Sequence, residues 1–517
     1  MAVNAVQPVY WDPYQPEFFH NPYPVFRRLR EEAPLWYNEA HGFYALSRYA
    51  EVERSLRDAA TFSSARGGIL EIIKANAELP DAVFIFKDPP VHTMYRSLLQ
   101  RIITPKRMNA LEGQIRSLCA QCLDPLVGTD RFDLIADLGA VMPMKVIGML
   151  LGIPEEDQVA VRQSGDDRLH TEAGKPMDFS MEKNFSGSAY EEYIDWRTTH
   201  PSDDIMTELL HAEVKDPTGT IRKLTRDEIV QIVNVVAGAG NETTTRLIGW
   251  AGKELSDHPE QRRDLAASPA LAAQTIEELL RYQPPGPAIG RYVTRDVEIY
   301  GQTIPAGSIM MLLVGAANRD ESRFENGETF NIRREQRPHL GFGHGIHVCI
   351  GAALARLEGR VALEELIKRF PNWEVDHDNA VLASTSTVRG WETLPLFVGD
   401  GRRSTVRELR PTETVVKKDV PLEGVWDLVV KGPTGPQPTV LEIERSGEAY
   451  SGSQTGQGST SAVSDVKVDG NKVSWVNHVT KPMKLKVEFR GEIAGANMTG
   501  KAKAGFMGSY SFTAEKR

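Results

Sequence analysis

Residues 340–360 read LGFGHGIHVCIGAALARLEGR, and no other stretch narrows what this chain can fold into as much. One cysteine, Cys349, sits among Gly343, Gly345, Gly351, Ala352 and Ala353, and a helical pattern follows at once. Glycines let a backbone fold closely against a bulky group and adopt positive φ. They also leave the sulfur uncovered. A cysteine just before a helix start feels the positive end of the helix dipole, which favours the thiolate. Most single cysteines in an intracellular chain are small buried hydrophobes. A thiolate in a bare glycine loop suits a metal ligand instead.

The ten residues Phe342-Gly343-His344-Gly345-Ile346-His347-Val348-Cys349-Ile350-Gly351 match, position for position, the pattern F-G-x-G-x-H-x-C-x-G. In this the chain resembles the cytochrome P-450 family. The resemblance implies that Cys349 is the axial thiolate of a haem b iron, with Phe342, Gly343, His347 and Gly351 around the cofactor. In that family the sulfur pushes electron density towards iron and favours O–O cleavage.

Three further segments carry the resemblance in the family's order. Asp88-Pro89-Pro90-Val91-His92 runs into a helix, where proline is welcome at the first position. His92 and Arg96, four apart, share one helix face. Such a pair is usually a solvated polar face; the resemblance implies that both hold a haem propionate, which suits the arginine fork. Thr225 and Glu228 have the form of a capping box, opening a helix of about 30 residues, or roughly 45 Å. It is apolar on most sides through Ile229–Ala239, as suits a core helix. Gly238 and Gly240 weaken its middle by about 1 kcal/mol each. A carboxylate in such a stretch is costly unless used or paired. Packing glycines beside a solvated polar face would produce the same pattern. Ala239-Gly240-Asn241-Glu242-Thr243 resembles the family's A-G-x-[DE]-T motif, which implies that Ala239 and Gly240 make room for O₂ and that Glu242 and Thr243 relay protons. A threonine can also return its hydroxyl to a carbonyl one turn back. Glu278-Leu279-Leu280-Arg281 is an E-x-x-R, common on helices. By position it resembles the family's buried ion pair, with Arg334 as third member and a structural role. Arg291 is implied as another propionate ligand, with Ala288 and Ile289 near the substrate.

Composition limits the alternatives. Lys and Arg total 60 against 70 Asp and Glu, a net charge of −10, which argues against nucleic acid as main partner. Three cysteines fit a reducing cytoplasm. Cys119 and Cys122 form a C-x-x-C inside a helical pattern, with no second pair for zinc and no histidine following for covalent haem attachment; packing is their expected role. The start of the sequence lacks a basic segment followed by an apolar run, and no apolar stretch reaches membrane-spanning length. These features predict a cytoplasmic protein of the soluble bacterial type.

The pattern changes after Val398. Residues 399–421 are charged and unpatterned and read as a linker. Residues 421–517 carry 12 Lys and Arg and 10 Asp and Glu, so this tail is net +2 and the first 420 residues are −12. From Gly424 the periodicity is that of strands, with turn residues between, such as Asp469-Gly470-Asn471. Six to eight short strands predict a small closed barrel, similar to lipocalin- or avidin-like barrels. The expected organisation is a mainly α monooxygenase domain with small β-sheets at 1–398, a linker at 399–421 and an all-β domain at 422–517. No cysteine follows Cys349 and no G-x-G-x-x-G follows a strand there, so the tail holds neither a thiolate-bound iron–sulfur cluster nor a flavin reductase.

The resemblance therefore implies a haem-thiolate monooxygenase. It would use O₂ and electrons from a separate ferredoxin and ferredoxin reductase to hydroxylate an apolar organic substrate. Two rivals are a peroxide-driven peroxygenase, against which Glu242-Thr243 argues, and a non-catalytic haem sensor, which needs no proton relay. The partner of the tail is not named by the sequence.

Overall fold

The computed structural model describes residues 8–154, 158, 171, 174–180, 190–385 and 388–398, and in the tail 422–432, 435–446, 449–456, 459–469, 472–479, 485–494, 497–504 and 509–517. The expected linker at 399–421 lies outside these residues. Two compact units divide the chain, Met1–Gly401 and Arg402–Arg517.

The first unit is mainly helical. Its helices include α1 (Tyr23–Glu32), α2 (Tyr49–Arg57), α3 (Leu70–Ala75), α4 (Val91–Ile102), α5 (Glu112–Leu123), α6 (Met142–Leu151), α7 (Arg226–Asp257), α8 (Ala272–Tyr282) and α9 (Ala352–Arg369). The long helix α7 begins at the expected capping box: the Thr225 side chain accepts from Glu228 N–H, and the Glu228 carboxylate accepts from Thr225 N–H. Its buried face carries Ile229, Ile232, Val233, Leu247, Ile248 and Leu255, so it runs through the main core. Two glycines set its packing distances. A Cβ on Gly240 would stand 2.5 Å from Ile147 of α6, and one on Gly359 of α9 would stand 3.0 Å from Leu247. Neither position has room for a larger side chain.

Five strands form the larger sheet of this unit: β1 (Leu35–Asn38), β2 (Phe43–Leu46), β3 (Phe62–Ser63), β4 (Ile289–Val293) and β5 (Ile309–Leu312). Their spatial order is β1-β2-β5-β4-β3. Only β2 and β5 are parallel; the other neighbours are antiparallel. Cys119 and Cys122 lie on α5, the first buried and the second partly so, as packing residues should. Among the described residues no helix is long and apolar enough to cross a membrane.

The second unit is a closed barrel of eight strands: β6 (Gly424–Gly432), β7 (Gly435–Ser446), β8 (Ala449–Gly456), β9 (Ser459–Asp469), β10 (Lys472–Val479), β11 (Leu485–Ala494), β12 (Asn497–Ala504) and β13 (Ser509–Lys516). Each pairs antiparallel with its sequence neighbour, and β6 closes on β13 from Trp426↔Lys516 to Val430↔Phe512. Lipocalins and streptavidin share this up-and-down architecture. The strands are longer than the sequence suggests, because β8 and β12 lack the β-branched runs that mark strands. Inside, Trp475 stacks on Phe489 at 4.8 Å and Phe512 meets both edge-on. A polar cluster interrupts this core: the Gln454 side-chain carbonyl accepts from Trp475 Nε1 and Asn477 Nδ2, each at 3.2 Å. The Gln454 amide donates to Thr439 at 3.0 Å. The turn at Gly470-Asn471 lies outside the described residues; the strands flanking it end in register at Asp469↔Lys472.

Candidate functional site

The Cys349 loop is held by its backbone. Cys349 N–H donates to Phe342 O at 2.8 Å. Gly343 and Gly345 have φ of 70° and 71°, a conformation that glycine adopts without strain. A Cβ on Gly345 would stand 2.7 Å from Leu56 O of α2, so the loop lies directly on that helix. Gly351 needs no special φ. A Cβ there would stand 3.9 Å from the Cys349 sulfur, so the third glycine serves by being small.

A second brace comes from the buried ion cluster. Arg281 donates twice to Glu278 at 2.7 Å, and Arg334 donates to the same carboxylate at 3.1 Å, as expected of the third member. Arg281 also donates to Asn318 O at 2.8 Å, and the Asn318 side-chain oxygen accepts Leu340 N–H at 2.7 Å. Gly341 packs against Leu280 O, where a Cβ would come within 2.4 Å. The cluster on α8 thus anchors the chain just before the cysteine. Asn318 was not visible as a participant in the sequence, since nothing local distinguishes it.

Cys349 is free and reachable by solvent, yet burial pushes its thiol up. Both hold if the sulfur lies deep in the unit and is open on one side. The Gly351 N–H and the charges of Arg96 and Arg356 pull the other way and are outweighed. The helix-dipole expectation is therefore reversed by desolvation. A directly bound cation is what deprotonates such a thiol outright.

Beside the loop stand four nitrogen-bearing side chains. His92 and Arg96 lie on α4 and are buried. Arg291, on β4, is 5% exposed. The His347 ring lies 4.3 Å from that of His92. Arg96 donates to Val348 O at 2.6 Å and Arg291 to Gly290 O at 2.8 Å. Both ring nitrogens of His92, Nε of Arg96 and Nε2 of His347 are buried without a hydrogen-bond partner. Burial and the neighbouring cations hold His347 down at about 3, and burial lowers Arg291 to about 10. Two buried guanidiniums, neither in an ion pair among the described residues, beside imidazoles that can each donate one N–H, call for an anion. A group with carboxylates fits here, and a haem, with two propionates and a metal for the thiolate, fits both halves of the site.

On α7 the structure separates the two members of the acid–alcohol pair. Glu242 is buried and ion-paired with Arg246 at 2.8 Å, one turn on. Arg246 also donates to Trp391 O and approaches Glu392 at 3.8 Å. Its stem passes under Gly390, where a Cβ would stand 2.6 Å away. Thr243 points to a different side and donates its hydroxyl to Ala239 O at 2.8 Å, the back-bond that its type permits. Ala239 is exposed and Gly238 has open space beside it. Gly240 instead packs on Ile147, so of the small pair it is Ala239 that lies open. Arg246 was missed in the sequence, although Glu242-x-x-x-Arg246 is an i,i+4 spacing that signals a pair.

Residues 180–394 match the family model described as Cytochrome P450. Cytochrome P450 130 of Mycobacterium tuberculosis is 35% identical over 404 residues, covering 74% of this chain and 96% of its own length. Cyclomarin C epoxidase CymV of Salinispora arenicola is 33% identical over 356 residues, covering 68% and 89%. Among solved structures, cytochrome P450 CYP109Q5 from Chondromyces apiculatus superposes with a TM-score of 0.65 at 35% identity, covering 76% of this chain and 99% of that one.

Proposed function

The chain belongs to the cytochrome P450 family, and we propose from that premise that residues 1–398 hydroxylate an apolar organic substrate with electrons from a separate ferredoxin and its reductase. It is a P450 monooxygenase, with haem as cofactor. When bound, haem would supply oxygen activation at its iron, with the Cys349 thiolate donating electron density to it. The observation that carries the residue assignment is the pair of buried guanidiniums Arg96 and Arg291, with the unpartnered imidazole nitrogens of His92 and His347, beside a single open thiol.

In this reading Cys349 is the metal ligand. Phe342, Gly343 and Gly351 keep the cofactor face of its loop bare. The four cationic or neutral donors hold the propionates and relieve their own desolvation. Thr243 donates its hydroxyl to Ala239 O, which leaves its oxygen lone pairs free to accept a hydrogen bond; in a relay it would give up its own proton as it takes another. Glu242, ion-paired with Arg246, would serve as the base that takes up a proton and supplies the relay once it turns from that arginine. The apolar character of the substrate is supported by a cavity of about 260 Å³ that includes Trp11, Phe26, Leu70, Ala288, Ile289 and Met311 in its lining. A cytoplasmic location accords with the few cysteines. The barrel at 422–517, joined through 399–421, is an independent module in this reading and takes no part in oxygen chemistry.

The test is turnover of a substrate panel with NADH, a ferredoxin and its reductase. Product formation with tight coupling supports the proposal. Product with hydrogen peroxide alone would make it a peroxygenase, and haem binding without product a sensor.

A further inference from the structure

Two cavities of the first unit meet at one carboxylate, that of Glu71 on α3. The inner one is the apolar cavity of about 260 Å³. Its wall at Gly68 is tied to the Arg291 strand, because Gly290 N–H donates to Gly68 O at 2.8 Å. It therefore abuts the cation set described above. The outer one is larger, about 630 Å³, and mixes apolar residues with the polar Asp12, His41, Lys74 and Asp178 in its lining. Tyr14 and Glu71 line both and form the neck between them.

The neck carries an acid in an awkward place. Glu71 is 8% exposed. It accepts the Met177 N–H at 3.1 Å and lies against the Tyr14 hydroxyl, and burial pushes its carboxyl up. In the outer cavity Asp12 is engaged by His41 at 3.2 Å and by Tyr14 N–H at 2.9 Å. Lys74 lines the outer cavity beside Glu71, and Arg389, whose guanidinium donates to the Phe19 and His20 carbonyls, lines the inner one. A desolvated carboxylate gains most from an incoming cation that hydrogen-bonds or pairs with it. The Tyr14 ring at the same neck offers a cation a second favourable face.

We propose that Glu71 determines specificity, by selecting apolar substrates that carry a protonated amine or quaternary ammonium group, seated at the Glu71–Tyr14 neck with the apolar body in the inner cavity. The inference rests on the monooxygenase reading for its optical readout. The full-length, haem-loaded protein is titrated with dodecyltrimethylammonium, dodecanol and dodecanoate at about pH 8, following the shift of the haem Soret band from low to high spin. The cation is expected to bind about tenfold tighter than the alcohol, the scale of one charge-assisted contact, and the carboxylate no tighter than the alcohol. Glu71→Gln, close in shape, is expected to bring the cation down to the alcohol. If that variant loads no haem, Lys74→Gln at an exposed position decides, with the cation's advantage rising about threefold. Equal binding of the three probes, tightest binding of the carboxylate, no spin shift with any probe, or a cation-to-alcohol affinity ratio unchanged in the variant that decides overturns the proposal. A protein without a thiolate-type haem spectrum would instead overturn the monooxygenase reading.

Discussion

Replacing Glu278 by leucine should cost the first unit a large part of its stability and loosen its cysteine loop. The carboxylate accepts four hydrogen bonds: two from Arg281, one from Arg334 and one from Asn331 N–H at 2.9 Å. Glu278 and Arg281 are each 2% exposed. Leucine would leave the Arg281 guanidinium buried with three carbonyls, those of Asn318, Gly327 and Thr329, and no anion. Breaking a buried pair from one side costs about 3–5 kcal/mol, against a typical total of roughly 5–15 kcal/mol. Removing both partners, in Glu278→Leu with Arg281→Leu, should recover a good part of that loss, because the uncompensated charge goes too. The assay is urea unfolding followed at the haem Soret band, which reports the unit containing Cys349 and not the barrel. The single variant should lower the midpoint by on the order of 1 M, and haem should be lost before the fold, since Arg281 holds Asn318 and Asn318 holds Leu340. A single variant with an unmoved midpoint, or a double variant no better than the single, would refute the reasoning.

Other expectations follow from the same geometry. Cys349→Ala should abolish the red-shifted band of the reduced carbon monoxide adduct that marks thiolate ligation; a variant retaining that band would remove Cys349 as the ligand. Thr243→Ala should keep haem and substrate binding but divert NADH electrons into peroxide, and unchanged coupling to product would count against its role. Gly390→Ala should displace the Arg246 stem and loosen its hold on Glu242, lowering coupling several-fold while leaving the Soret spectrum intact; a coupling ratio equal to the parent's would show that Arg246 does not matter there. Truncation after Gly401 should leave haem content and turnover unchanged, and a collapse of either would mean that the barrel is part of the working enzyme.

The parts of the site that were legible in the sequence are those where chemistry and backbone geometry act on neighbouring residues. Gly343, Gly345 and Cys349 declare a bare loop within seven positions, and Thr225 with Glu228 declares a helix start. Glu278 with Arg281 was legible as a helical spacing, and their burial and the part of Arg334 only through the family resemblance. What was not legible comes together only through the fold. Asn318 braces Leu340 from a loop that carries no motif. Gly390 is a glycine because Arg246, far away in sequence, passes beneath it. Strands β8 and β12 carry little strand signal of their own, because AYSGSQTG and NMTGKAKA are poor in β-branched residues. They are strands through their neighbours: a Cβ on Gly452 would come within 2.0 Å of Glu442 O, and one on Gly500 within 2.7 Å of the Phe512 ring. Tertiary context overrides propensity at such positions.

The seam of the barrel carries a consequence for how that module assembles. Seven of its strand pairs join sequence neighbours and have short loops to close, on the order of microseconds for a hairpin. The eighth, β6 with β13, joins residues 82 to 90 apart, from Val430↔Phe512 to Trp426↔Lys516. Its loop entropy is met last and rewarded only once the rest of the sheet has curled. Until then β6 and β13 are two unpaired edges, each able to template on another chain. Refolding of the module should therefore slow and lose yield as protein concentration rises, with the seam strands exchanged between molecules, whereas the closed barrel, having no edge, should stay monodisperse once formed.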